Sequence, residues 1–115
     1  MVGHVKDLNQ IQLNGDLVKD ASIQVLVSPK EGWEGHVLRV LHVEKGGYTP
    51  KHSHPWYHVN YVLEGQGELL IGDTIHKVSK GSYAYVPGNT IHQFRNAGDE
   101  TFSFICIVIE EGHKI

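Results

Sequence analysis

The chain has 115 residues, 40% of them hydrophobic and 20% charged, with 13 acidic against 10 basic side chains and a formal net charge of −3. That length builds one ordinary core and not two, and basic residues that are neither in excess nor clustered exclude a nucleic-acid surface. The longest apolar run, Phe104 to Ile109, is far too short to cross a bilayer, the N-terminus lacks the apolar stretch of a secretion signal, and the lone Cys106 permits no internal disulfide, so the expectation is a cytoplasmic protein with no membrane or nucleic-acid partner.

In chain order, the short apolar runs read as strands over Ile23–Ser28, His36–Glu44, His58–Leu63, Glu68–Ile71, Thr74–Val78, Ser82–Val86, Ile91–Arg95 and Thr101–Ile109. They are rich in Val, Ile, Tyr and Phe, as pleated, half-buried surfaces prefer. Turn signals separate them: Gly46-Gly47, Glu64-Gly65-Gln66-Gly67, Gly72-Asp73, Lys80-Gly81, Pro87-Gly88-Asn89 and Asn96-Ala97-Gly98-Asp99. Leu8 to Asp20 is undecided between irregular structure and an edge strand, and no long amphipathic helix, repeat or linker is evident. Short strands at even spacing predict an all-β antiparallel sandwich or barrel in a single domain over 1–115.

The chemistry lies in four histidines. His52, His54 and His58 fall in the run G-G-Y-T-P-K-H-S-H-P-W-Y-H, and His92 in P-G-N-T-I-H-Q-F-R-N. Neutral imidazole is the commonest protein ligand for a transition metal. On an extended segment His52 and His54 point the same way, being two residues apart. His58 shares a strand face with Asn60 and Val62, and His92 shares one with Phe94. A closed sheet lets all four rings aim at one spot, as bonds of only about 2.0–2.1 Å demand. His4, His36, His42, His76 and His113 have no partners in sequence and read as ordinary surface or core residues.

These residues carry a resemblance. The pattern G-x5-H-x-H-x3-E-x6-G is met by Gly46, His52, His54 and Gly65, with His58 where the Glu is usual. The pattern G-x5-P-x-G-x2-H-x3-N is met by Gly81, Pro87, His92 and Asn96, with Asn89 in place of the second Gly. Asn is the next-best residue at positive φ, so that exchange is tolerable. The sequence resembles the cupin superfamily, and within it the small single-domain cupins with four histidines and a Cys on the last strand. The resemblance implies a jelly-roll β-barrel, one divalent transition metal ion per chain (Mn, Fe, Cu, Ni or Zn) held by His52, His54, His58 and His92, and a homodimer. Residues 1–34, with strand-like segments that a lone barrel does not fully bury, are the expected dimer-forming part.

His58 in place of a carboxylate has a physical consequence. Four neutral imidazoles leave the full dipositive charge on an ion, which strengthens Lewis acidity and removes a candidate base. They also suit Zn, Cu, Fe and Ni better than oxygen-seeking ions.

Around the histidines, Phe102, Phe104, Cys106 and Val108 share one face of the last strand and Ser103, Ile105, Ile107 and Ile109 the other. Both faces are apolar, so parity does not say which is inside; the resemblance puts Cys106 on the pocket side with Phe104 near it. Most free cysteines are inert buried thiols. Phe94 is expected beside the metal. Trp56 is either an aromatic lip over the cavity or a packing or dimer contact. Tyr61, Tyr83 and Tyr85 are read as core. Asn60 is expected to face inward and bond a ligand histidine or a metal-bound oxygen. Arg39, set among Val37, Leu38, Val40 and Leu41, could hold a substrate carboxylate if it pointed inward. A charge on the outer face is the commoner arrangement, and that is the expectation.

No phosphate loop, nucleophile elbow or dinucleotide fingerprint competes. The expected function is a metal-dependent oxygenase or oxidase acting on a small, partly apolar organic substrate. A non-redox isomerase or cyclase and a non-catalytic small-molecule-binding module stand as alternatives.

Overall fold

The computed structural model describes residues 1–113. Its strands are β1 (Ile11–Gln12), β2 (Lys19–Val27), β3 (His36–Tyr48), β4 (His58–Glu64), β5 (Gln66–Ile71), β6 (Thr74–Ser79), β7 (Tyr83–Val86), β8 (His92–Asn96) and β9 (Phe102–Ile109), with one-turn 3-10 helices at Val5–Asp7, Pro29–Glu31 and Glu110–Gly112. All pairings are antiparallel, in the order β6-β5-β8-β3-β9-β4-β7, with β2 on the other edge of β3 and β1 beyond it. The sheet curls into a nearly closed barrel. No helix among the described residues is long and apolar enough to cross a membrane.

Every expected strand is present, and the differences in extent have local causes. The sequence puts a turn at Gly46-Gly47, but β3 runs through to Tyr48. The register with β2 jumps from Ala21↔Val43 to Lys19↔Tyr48, so several β3 residues bulge against Asp20, which takes φ 47°. A Cβ on Gly47 would lie 2.6 Å from the Lys19 carbonyl oxygen, so only glycine passes there. Past the bulge β3 leaves β9 and meets β8, so one bent strand joins both halves of the barrel. The undecided stretch Leu8–Asp20 supplies β1 and the start of β2.

The inward face of β9 is the one that carries Phe102, Phe104, Cys106 and Val108, all buried. Opposite them on β3 lie Val43, Leu41, Arg39 and Val37 in register. Phe94 of β8 stacks on Phe104 with ring centres 4.0 Å apart, and Phe102 packs beside both. Burial of each such ring stabilises by about 1.5–3 kcal/mol.

The other face of β2, β3 and β9 is covered as well. Gln24 and Ser103 are buried there although polar. Gln24 donates from Nε2 to the carbonyls of Val5 (2.8 Å) and Leu8 (3.0 Å), which ties the N-terminal residues across the sheet. Its Oε1 lies 2.7 Å from His42 Nε2, and His42 Nδ1 lies 2.7 Å from the Ser103 hydroxyl.

Three tyrosines read as core are not. Tyr61, Tyr83 and Tyr85 are 47%, 84% and 60% exposed. His58 and Asn60 face inward on β4, so Tyr61 must face out, and its cross-strand partner Tyr83 follows it.

Candidate metal centre

Main-chain bonds between two segments set the first pair of histidines. His52 and His92 form an antiparallel bridge, His52 N donating to His92 O at 3.2 Å and His92 N to His52 O at 2.9 Å. Residues directly opposite in such a pair present their side chains on the same face. The rings stand with centres 4.9 Å apart. Thr49 extends the pairing, since its N donates to Phe94 O and its hydroxyl accepts from Phe94 N. His54 reaches the same spot after the alternation of an extended chain. Its carbonyl accepts from Asn89 N at 2.6 Å, which docks the Pro87–Thr90 turn on the ligand segment. Asn89 takes φ 57°, the left-handed conformation in which Asn is the nearest substitute for Gly. A Cβ on Gly88 would strike the Pro55 carbonyl, so that neighbour stays glycine.

The ring nitrogens of His52, His54 and His92 all lie within 4.8 Å of one another. His58 stands just outside that mutual group, yet its Nε2 is 3.2 Å from Nε2 of His92, and the two ring centres are 4.7 Å apart. His58 and His92 are buried, His54 is half-buried and His52 is exposed at the mouth.

The remaining ring nitrogens settle which way the lone pairs face. His54 Nδ1 lies 2.8 Å from the Trp56 carbonyl, His92 Nδ1 2.9 Å from the Thr90 carbonyl, and His58 Nδ1 2.7 Å from Asn60 Oδ1. A carbonyl oxygen only accepts, so each Nδ1 carries the proton and each Nε2 presents a lone pair inward. Asn60 cannot reverse its amide, because Nδ2 donates to the Ile105 carbonyl at 3.2 Å. Such outer hydrogen bonds fix the tautomer and raise the basicity of a ligating imidazole. Converging neutral Nε2 atoms are a donor set that fits a divalent transition ion.

Electrostatics keep the rings neutral. Burial, followed by the neighbouring imidazoles, holds His52 down at about 4; burial likewise holds His92 at about 4, against the pull of its bond to Thr90. His54 and His58 are also lowered, chiefly by burial, with the Arg39 charge adding to the effect.

Behind the histidines lies a cavity of about 260 Å³. Phe94, Phe104, Cys106 and Trp56 line it, as does Arg39, contrary to the expectation that Arg39 points outward. The register explains the orientation: Arg39 pairs with Cys106 and shares the inward face of Leu41 and Val43, and its Nη2 donates to Cys106 Sγ at 3.0 Å. Trp56 stacks on His54 with centres 4.7 Å apart. Asn60 does not line the cavity; it acts from behind His58. Sequence reasoning did not single out Thr49, Val108 or Gly112 as cavity residues. Val108 was within reach through its shared face with Cys106. Gly112 had no signal: it fits because a Cβ would lie 2.5 Å from Trp56 Nε1 and from Val108 Cγ2.

The Cupin domain family model matches residues 39–108, and the chain belongs to that family. Over 77 residues, 67% of this chain and 49% of the relative, it is 32% identical to a 1-methylthio-D-xylulose 5-phosphate methylsulfurylase from Rhodospirillum rubrum. The chain spans about half the length of the curated relatives it matches. Among solved structures it is similar to the polyketide cyclase RemF from Streptomyces resistomycificus, with a TM-score of 0.87 and 26% identity over 95% of this chain and 78% of that one. A predicted oxalate decarboxylase from Thermotoga maritima also has a TM-score of 0.87, covering 95% of this chain and 98% of that one; at 17% identity it speaks for the fold alone.

Proposed function

We propose that the chain is a metal-dependent enzyme of the oxidase or oxygenase type, acting on a small, partly apolar organic substrate, with His52, His54, His58 and His92 as the ligands of one divalent transition ion. The observation that carries this reading is the inward convergence of Nε2 lone pairs, locked by the bonds of His54, His58 and His92 to Trp56 O, Asn60 Oδ1 and Thr90 O. When bound, the ion supplies Lewis acidity and, if redox-active, electron exchange with dioxygen. The chain's own part is to bind and to exclude water. Phe94, Phe104, Val108 and Trp56 give the cavity apolar walls, and its volume suits a compact molecule. No carboxylate lines the cavity among the described residues, so a proton acceptor has to come from elsewhere than an Asp or Glu.

A non-redox reading, an isomerase or cyclase, is favoured by the likeness to the polyketide cyclase RemF. One experiment separates the two: metal analysis of protein purified without added metal or a histidine tag, followed by substrate screens with and without oxygen. Iron, manganese or copper near one per chain with oxygen consumption supports the first. Zinc with oxygen-independent turnover supports the second. Failure to retain any transition ion removes both.

We further propose a homodimer. The exposed row of Val59, Tyr61, Tyr83 and Tyr85 on β4 and the edge strand β7 supports it, since large apolar side chains beside an unpaired sheet edge suit a partner. This moves the expected contact from residues 1–34, several of which pack on their own sheet through Gln24.

A further inference from the structure

We propose that Arg39 is an anion subsite and that the substrate class is a monocarboxylate with an apolar body. The proposal rests on the reading of the histidine centre as a catalytic site, and it adds the chemistry of the molecule that enters.

Among the described residues Arg39 is a cation without a counter-ion. It is half-buried on the inner face of β3, and among the described residues the one ion pair is the surface pair Lys45–Asp99. Among the described residues no Asp or Glu lines its cavity. Its Nη2 is engaged by the Cys106 thiol, a weak acceptor, and its Nε is buried with no partner among the described residues. A guanidinium withdrawn from water needs a charge and acceptors in return, and a planar fork matches a carboxylate better than any other common group. The rest of the wall is apolar: Leu13, Ile23, Leu41, Phe94, Phe104 and Val108. Arg39, the one charged side chain among the described residues of that wall, suits a molecule with an anionic end and a hydrocarbon body.

Charge counting favours a carboxylate over a phosphate monoester. Among the described residues no lysine lines the cavity to share a second negative charge with Arg39. Arg39 and the histidines share this one cavity, so a substrate anchored at Arg39 presents its other atoms to the Nε2 cluster.

The test is calorimetric titration of the full chain with benzoate, benzamide and phenyl phosphate, on wild type, Arg39→Gln and Arg39→Lys. Each is run zinc-loaded and after chelator treatment; the metal-free arm isolates Arg39, because a carboxylate also ligates an ion. The expected result is benzoate binding at least tenfold tighter than benzamide to the metal-free wild type. R39Q abolishes that preference with zinc stoichiometry and circular dichroism unchanged, and R39K keeps part of it. Benzoate binding no tighter than benzamide, an undiminished preference in R39Q, or phenyl phosphate binding tighter than benzoate each overturn the proposal. So does thiolate absorbance from Cys106 at neutral pH, which would make the thiol the counter-ion. Loss of zinc binding with the benzoate preference intact sinks the metal reading and leaves the subsite standing. If R39Q does not fold, the benzoate–benzamide comparison on wild type and R39K decides.

Discussion

Nε2 of His58 and Nε2 of His92 face each other at 3.2 Å, and the far nitrogen of each ring donates to an oxygen of the chain, Asn60 Oδ1 and Thr90 O. Two lone pairs aimed at one another repel unless a cation lies between them. The fold therefore holds the two rings in an arrangement suited to a shared metal ion.

Asn60 is the adjustable part of that arrangement. Asn60→Ala frees the His58 ring and its tautomer while leaving the ring itself in place. We expect metal affinity to fall by roughly 10–100-fold. Competition with a chromophoric chelator measures it, and an unchanged affinity would show that His58 takes no part in binding. His92→Ala, which removes the ring nearest the other three, is expected to abolish uptake in the same assay.

Acid should weaken the metal-free fold in a defined window. The folded chain holds His52 and His92 at about 4, below the ordinary 6.5 of an unfolded imidazole. Above 6.5 both states keep these rings neutral, and stability does not respond to them. Between 6.5 and about 4 the unfolded chain takes up protons that the folded chain refuses, so stability falls as pH falls. Urea midpoints of the chelator-treated protein across pH 4 to 7.5 should decline through this range, and bound zinc should steepen the decline. A flat profile would contradict the neutral cluster.

The N-terminal tie at Gln24 is a stability device. Gln24→Ala removes the donor that holds the Val5 and Leu8 carbonyls and leaves His42 Nε2 without its acceptor. A loss of about 1–3 kcal/mol is expected. Faster hydrogen exchange should be confined to residues 1–10 and the β2–β3 face, with metal uptake unaffected.

The aromatic edge predicts the assembly. Tyr83→Asp with Tyr85→Asp places two charges on the exposed face of β7 without touching the inward Ala84 and Val86. Light scattering should show the wild type as a dimer at micromolar concentration and the double variant as a monomer. A wild-type monomer would remove the proposal.

Much of this was legible in the chain, because period-two patterning and glycine punctuation report strands directly. Asn89 could be read at its left-handed turn from its place in a spaced motif. What escaped was the facing of elements buried on both sides. Val40 and Ser103 look outward and are as buried as Leu41 and Phe104: Gln24 beside Val40 ties the N-terminal residues to that face, and Ser103 is bonded to His42 and Glu64. With both faces apolar, only the register of β3 on β9 reveals that Arg39 points in. Gly46-Gly47 misled for another reason: a bulge and a turn call for the same residue. Tyr61 is different again, since its outward direction followed from the parity of His58 and Asn60.

β3 is hydrogen-bonded to β2 and β9 along its first part and to β8 at Tyr48, beyond the glycine bulge. Neither side of the barrel can detach while that strand stays whole. The molecule should therefore melt in a single all-or-none step, and a circular permutant opened between residues 36 and 48 should be the one that never refolds.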